Sequence, residues 1–387
     1  DISKSPQAME QIFAGLQTMF WEFDPLEKWW EGLQHDFIVF EMASTAGDTH
    51  FYVKTPVFFR KVVEAQIYAQ YPETEIVEAE DYTNKLPETA PNQDWDLFGI
   101  EFTLLKEDPY PIRTYAEFPT IESMKEEERK VDPFSAMAEL FGKIGPGEHI
   151  GYHLMIRPCQ DDKWKKEGQA LVDKLIGRKT SSEKNALEKL LEPLEPLTKG
   201  WGEPLLKLFG VWDSDEVRLP PRKDKEEKFG ESMMLHLSPG ARDIVAAIER
   251  NILKTGFECV VRFCYLARRG VFSLSHLSSF IGALKQYNTQ TLNGFKLNTK
   301  AMATRTQWWW PKYFKKRRSN YKKWLFYNYY RARKPCTDTQ YLRSKPIVLN
   351  SEELATIYHY PGSTAKAPML PRIEARRAEP PAALPVE

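Results

Sequence analysis

Cysteine is scarce. The 387 residues hold four, Cys159, Cys259, Cys264 and Cys336, too few and too scattered for a disulfide framework, so a reducing compartment is expected. Net charge is also missing: 54 Lys and Arg balance 54 Asp and Glu. That excludes a globally basic nucleic-acid coat and an acidic solvating tail. No run of 18 uncharged apolar residues occurs, so no helix of this chain is expected to cross a bilayer. The chain begins at Asp1 rather than Met and lacks an apolar signal core, so a segment removed upstream is expected. Membrane attachment would then come from that segment or from a stretch lying on the surface.

Chemical motifs are missing as well. No GxxxxGK[ST] phosphate loop occurs; the nearest approach, Gly142-Lys143, lacks the upstream glycine spacing and the following hydroxyl. GxGxxG, HExxH and GxSxG are absent. Cys259 and Cys264 have no second pair, and buried core thiols are the plainer reading. His149 and His153 share one face of an expected strand about 13 Å apart, too far to hold one metal. Asp161-Asp162 reads as solvated charge beside lysines. The expectation is no catalytic residue, no cofactor and no metal site, hence not an enzyme.

What is present is enough for a large core: 42% hydrophobic and 28% charged residues, with 27 prolines against 20 glycines punctuating the chain. Ser5 and Pro6 open a helix over 5–20 with Met9, Ile12, Phe13, Leu16 and Met19 on one stripe. Asp36–Ser44 and Thr49–Thr55 alternate around Gly47-Asp48 as a hairpin. A helix over Val57–Tyr71 and strands at Glu75–Glu78 and Leu97–Leu105 complete a ferredoxin-like order. Ser238 and Pro239 repeat the helix start, between a strand at Met233–Leu237 and one at Phe257–Ala267, with a helix at Leu274–Tyr287. The expected fold is α+β: two related ferredoxin-like sandwich units, a helical insertion, a basic aromatic helix and an extended Pro-rich C-terminal tail. Expected boundaries are 1–118 for the first unit and 119–230 for a linker, a strand and helix (His149–Arg157, Lys163–Ile176) and the charged insertion. The second unit covers 231–300, the basic aromatic segment 301–346 and the tail 347–387.

Residues 305–334 stand apart, with eleven Lys or Arg, eleven aromatics and no acid. The candidate contact residues are Trp308, Trp309, Trp310, Lys312, Lys315, Lys316, Arg317, Arg318, Lys322, Lys323, Trp324, Arg331, Arg333 and Lys334. Rings at headgroup level with cations on anionic lipid would make a membrane-surface helix. The same composition could grip a phosphate backbone and stack on bases, or fill a protein groove. It could equally be a partly buried helix whose cations reach outward.

Several segments resemble the N-terminal region of bacterial type IV secretion and conjugation-type (HerA-like) ATPases: Ser5–Phe13 (SPQAMEQIF), Thr55–Arg60 (TPVFFR) and Val63–Pro72 (VEAQIYAQYP). Leu292–Phe295 (LNGF), Val348–His359 (VLNSEELATIYH) and Pro371–Pro381 (PRIEARRAEPP) do so too. The resemblance is to a poorly characterised subgroup, runs across nearly the whole chain, and lacks the motor domain. It implies an assembly or docking module of a secretion or DNA-transfer machine, at the cytoplasmic face of the membrane. The implied partners are a translocation ATPase, fused or separate, and an anionic membrane surface. The alternative is a nucleic-acid-binding protein of a mobile element that contacts DNA through 305–334. Ring-forming motors make a homo-oligomer compatible with the family.

Overall fold

The computed structural model describes residues 6–19, 30, 36–118, 134–159, 161–176, 237–302, 315–336 and 342–361. Among them are seven strands and eight α-helices. The strands are β1 Ile38–Thr45, β2 Asp48–Lys54, β3 Trp95–Leu104, β4 Glu148–Pro158, β5 Gly256–Arg268, β6 Phe295–Met302 and β7 Ile347–Asn350. The helices are α1 Pro6–Leu16, α2 Arg60–Gln70, α3 Ser135–Gly142, α4 Asp161–Ile176, α5 Pro239–Ile252, α6 Ser275–Lys285, α7 Lys315–Ala332 and α8 Ser351–Ile357.

The strands form one antiparallel sheet in the order β2-β1-β4-β5-β3-β6, with β7 paired to the free end of β5. The two expected sandwiches do not stand apart: of the first expected unit, β1 and β2 are joined through β4 to β5, and β3 lies between β5 and β6, both from the second. β4 belongs to the stretch expected to link them. All eleven of its residues pair with β5 and eight of them, 149–156, with β1 on the other side, and ten of the eleven are buried.

Side chains alternate across a strand, so the register sorts the sheet into two faces. One face is apolar across its central rows. Phe40, Leu154, Val261 and Phe102 form one row, and Met42, Tyr152, Phe263 and Ile100 the next. Helices cover it: α1 turns Met9, Ile12, Phe13 and Leu16 inward and packs against α2 and α8. Pro6 at its first position costs no hydrogen bond there. The other face carries the polar residues described below and is covered in part by α7, with Val39, Met155 and Val260 in a separate buried cluster beside Phe37.

Three expectations shift. Glu75–Glu78 is extended without a strand partner. Residues 57–71 divide into a 3-10 turn, Val57–Phe59, and α2. Residues 347–360 are not part of an extended tail. Asn350 accepts from the Glu353 N–H at 2.8 Å while Glu353 accepts from the Asn350 N–H at 2.9 Å, a reciprocal capping box that starts α8 in the core. The strand expected at Met233–Leu237, the insertion at 178–230 and the tail beyond 361 lie outside the described residues.

By contacts the chain divides into two units, one of residues 1–165 with 250–387 and one of residues 166–249. The first holds the whole sheet. Of the second, helical residues 166–176 and 239–249 are described; Leu171, Val172, Ile176, Val245 and Ile248 are buried, and Ile244 is half-buried.

Candidate functional site

The face beneath α7 holds a row of polar side chains running across four strands. Glu41 on β1 pairs with His153 on β4, His153 with Arg262 on β5, and Arg262 with Glu101 on β3. All four are fully buried. Isolated, each would carry a heavy desolvation cost, so each needs partners. Arg262 donates Nη2–H to Glu101 Oε1 at 2.6 Å and Nε–H at 3.2 Å, and Ser344 donates to the other Glu101 oxygen. Glu41 accepts from Arg333 Nε at 2.6 Å and from the Tyr82 hydroxyl at 2.8 Å. Burial still pushes the Glu41 carboxyl up against the pull of Arg333.

The next row on this face is made of small residues: Ala43, Gly151, Cys264 and Gly99. They leave a trough that α7 fills. Phe326 lies over Gly99 and Tyr330 over Gly151, each in the place a side chain would take. Phe326, Tyr327 and Tyr330 are fully buried there, which stabilises the docked helix by about 1.5–3 kcal/mol for a side chain of Phe size. α7 thus crosses the sheet from β3 towards β1.

Polar contacts fasten the C-terminal end of α7. The Arg262 guanidinium donates to the Tyr329 carbonyl at 3.0 Å and the Lys334 carbonyl at 2.6 Å. Lys54 Nζ reaches the Ala332 carbonyl at 3.3 Å. The Arg333 N–H bonds the Tyr330 carbonyl, and the Lys334 N–H the Tyr329 carbonyl, the double closure of a Schellman turn. Arg333 sits at the left-handed position with φ 54°, where glycine is the easy residue. Its side chain accounts for its presence: besides Glu41 it bridges both oxygens of Asp81 at 2.8 Å. Burial opposes that ionisation, but the bonds from Arg333 and from the Thr83 N–H hold the Asp81 carboxyl well below the usual range.

The two histidines of β4 meet in Tyr330. Its hydroxyl is 2.8 Å from His149 Nε2, and its ring stacks on His153 at 4.4 Å and 10°. Tyr82 OH is 2.9 Å from His153 Nε2. Burial lowers the His149 imidazole to about 3, and burial together with Arg262 and Arg333 lowers His153 well below its ordinary value. Among the described residues no group of three or more His, Cys, Asp or Glu is placed to hold a metal ion.

The expected contact residues divide along α7. Lys315, Lys316, Arg317 and Arg318 are exposed in its first turn, and among the described residues no carboxylate pairs with them. Tyr321 and Trp324 follow, 43% and 40% exposed, their rings 5.6 Å apart. Lys322 is half-buried, and burial lowers its ammonium. Three of the cations are engaged within the fold. Lys323 is paired with Asp96 at 2.6 Å, Arg333 with Glu41 and Asp81, and Arg331 donates to the Glu88 carbonyl at 3.0 Å. Lys334 is exposed beyond the helix end. Trp308, Trp309, Trp310 and Lys312 lie outside the described residues.

Among the described residues no helix is long and apolar enough to cross a membrane. Compared with family models, with curated proteins and with solved structures, the chain finds no match in any of the three.

Proposed function

We propose that the chain is a non-catalytic assembly and docking module that lies on the cytoplasmic face of a membrane and recruits or tethers a translocation ATPase of a type IV secretion or conjugative machine. The observation that carries the membrane part is the electrical asymmetry of α7. At its C-terminus the last carbonyls have donors, several of them cationic. At its N-terminus four exposed cations crowd the positive end of the helix dipole, with no acid in the first turn. That arrangement is uphill in water, and an external anion relieves it. Tyr321 and Trp324 lie on the side of the helix turned away from Phe326 and Tyr330, where amphipathic rings suit a headgroup layer.

The secretion-machine part rests on the resemblance of the quoted segments, and the ATPase partner follows from it. The kinship of two α+β units belongs with the same proposal. It is supported by the matching Ser-Pro starts of α1 and α5 and by the burial of Val245 and Ile248 in α5. Nucleic acid is the second reading, since the same cations could follow a phosphate backbone.

Vesicle flotation and DNA gel shift, on the intact chain and on K315E/K316E/R317E/R318E, separate the two. Salt-sensitive flotation with phosphatidylserine vesicles, lost in the variant, is the expected result. Binding to DNA with no flotation would transfer the function to the second reading; neither binding would overturn both.

A further inference from the structure

His149 and His153 are enclosed by charged and titratable groups from every element around them. β1 supplies Glu41, β2 supplies Tyr52 and Lys54, and the loop before β3 supplies Asp81 and Tyr82. β3 supplies Glu101, and β5 supplies Arg262 and Cys264. α7 and the turn after it supply Tyr327, Tyr330, Arg333 and Cys336. The hydrogen bonds favour one tautomer of His153. With the Tyr82 hydroxyl donating to Glu41, its oxygen is left as an acceptor 2.9 Å from His153 Nε2, the contact of an Nε2–H tautomer. Nδ1 is then the bare nitrogen, and it has no hydrogen-bond partner among the described residues. A second proton on this ring would be a buried N–H without an acceptor, beside two guanidinium groups.

We propose that the C-terminal half of α7 is a clasp that closes over neutral His149 and His153 and lifts from the sheet when they take up protons. Both rings touch Tyr330, so the charge arises where the helix is held. The clasp is also the smaller of the two coverings of the sheet. It seats Phe326, Tyr327 and Tyr330, whereas the opposite face is buried under α1, α2, α3, α6 and α8. Opening it costs less than dismantling the core, and local opening of that kind is an ordinary excursion.

The sign follows from proton uptake. The closed clasp binds fewer protons than the open one at both histidines, so closure is complete above the ordinary histidine value near 6.5 and weakens as the pH falls towards about 3. Asp81, held ionised by Arg333, adds to the loss at the acid end. Glu41, whose carboxyl is pushed up, opposes it: one group against three. This clasp does not depend on what the basic first turn of α7 binds.

Thiols report on it in the unaltered protein. Cys264 and Cys336 are buried under α7, while Cys259 is buried on the opposite face. Labelling with 4,4′-dithiodipyridine, followed by peptide mass spectrometry, can be run from about pH 7 to about pH 4. The expected result is a roughly ten-fold or greater rise in the labelling rates of Cys264 and Cys336, with Cys259 still protected. His153→Phe keeps a ring on Tyr330 without a titrating nitrogen and should shift the rise towards lower pH. A rise of all three thiols together would mean acid unfolding of the whole sheet and would overturn the proposal. So would unchanged protection of Cys264 and Cys336 at the acid end; if the variant does not fold, the unaltered protein decides alone.

Discussion

Gly151 lies directly beneath Tyr330, and a methyl group built on its Cα would overlap the phenolic oxygen. The same hydroxyl reaches His149, so Tyr330 cannot retreat without abandoning a buried ring nitrogen. Gly151→Ala is therefore expected to destabilise the fold by about 1–3 kcal/mol, as overpacking does. Urea denaturation measures it, and a midpoint within error of the parent would mean that α7 tolerates a shift.

Arg333 offers a test of competing effects. Arg333→Gly removes the left-handed strain, a gain of about 1 kcal/mol. It also strands the Glu41 carboxylate, and removing one member of a buried pair costs about 3–5 kcal/mol. The loss should win. Arg333→Lys should not restore stability, because an ammonium cannot span Glu41 and both oxygens of Asp81 as the fork does. Chemical denaturation of the two variants decides between them.

Glu353 should leave a pH signature. Each of its carboxylate oxygens accepts a backbone N–H, from Ile112 and Asn350, while burial pushes its pKa up from 4.5 to about 8. A folded-state value above the unfolded one means that the native protein holds the proton more tightly. Its contribution is therefore greatest below 4.5 and declines as the pH rises through about 8. Denaturation midpoints taken across that interval should slope downward in the parent and flatten in Glu353→Gln. Glu353→Ala, which leaves two N–H groups unpaired, should lose about 2–4 kcal/mol at either end.

The basic turn should behave oppositely to a structural feature. Reversing Lys315, Lys316, Arg317 and Arg318 to Glu places acids at the positive end of α7, so thermal stability should stay level or rise by up to about 3 °C at low salt. A clear fall in the melting temperature would show that these cations serve the fold.

Much of the covering layer was legible in the sequence. The stripe of α1, the hairpin of β1 and β2 and the alternation in β4 and β5 follow from periodicity and turn chemistry. The polar row was not. Glu41, His153, Arg262 and Glu101 each sit at an outward step of an alternating strand, the pattern of a sheet face that meets water. Only the pairing register brings them into line, and only α7 removes the water. The cations of 305–334 read as uncompensated for the same reason. Their partners Asp96, Asp81 and Glu41 are more than 200 residues away in sequence, where local pattern carries no information.

The trough that receives α7 is drawn from β1, β3, β4 and β5, whose sequence positions run from Ile38 to Arg268. No part of the chain holds it alone, so the helix has nowhere to dock until those four strands have paired. Such a seat makes α7 a late arrival in folding. Substitutions in Phe326 or Tyr330 should chiefly hasten unfolding and leave the rate of folding nearly untouched.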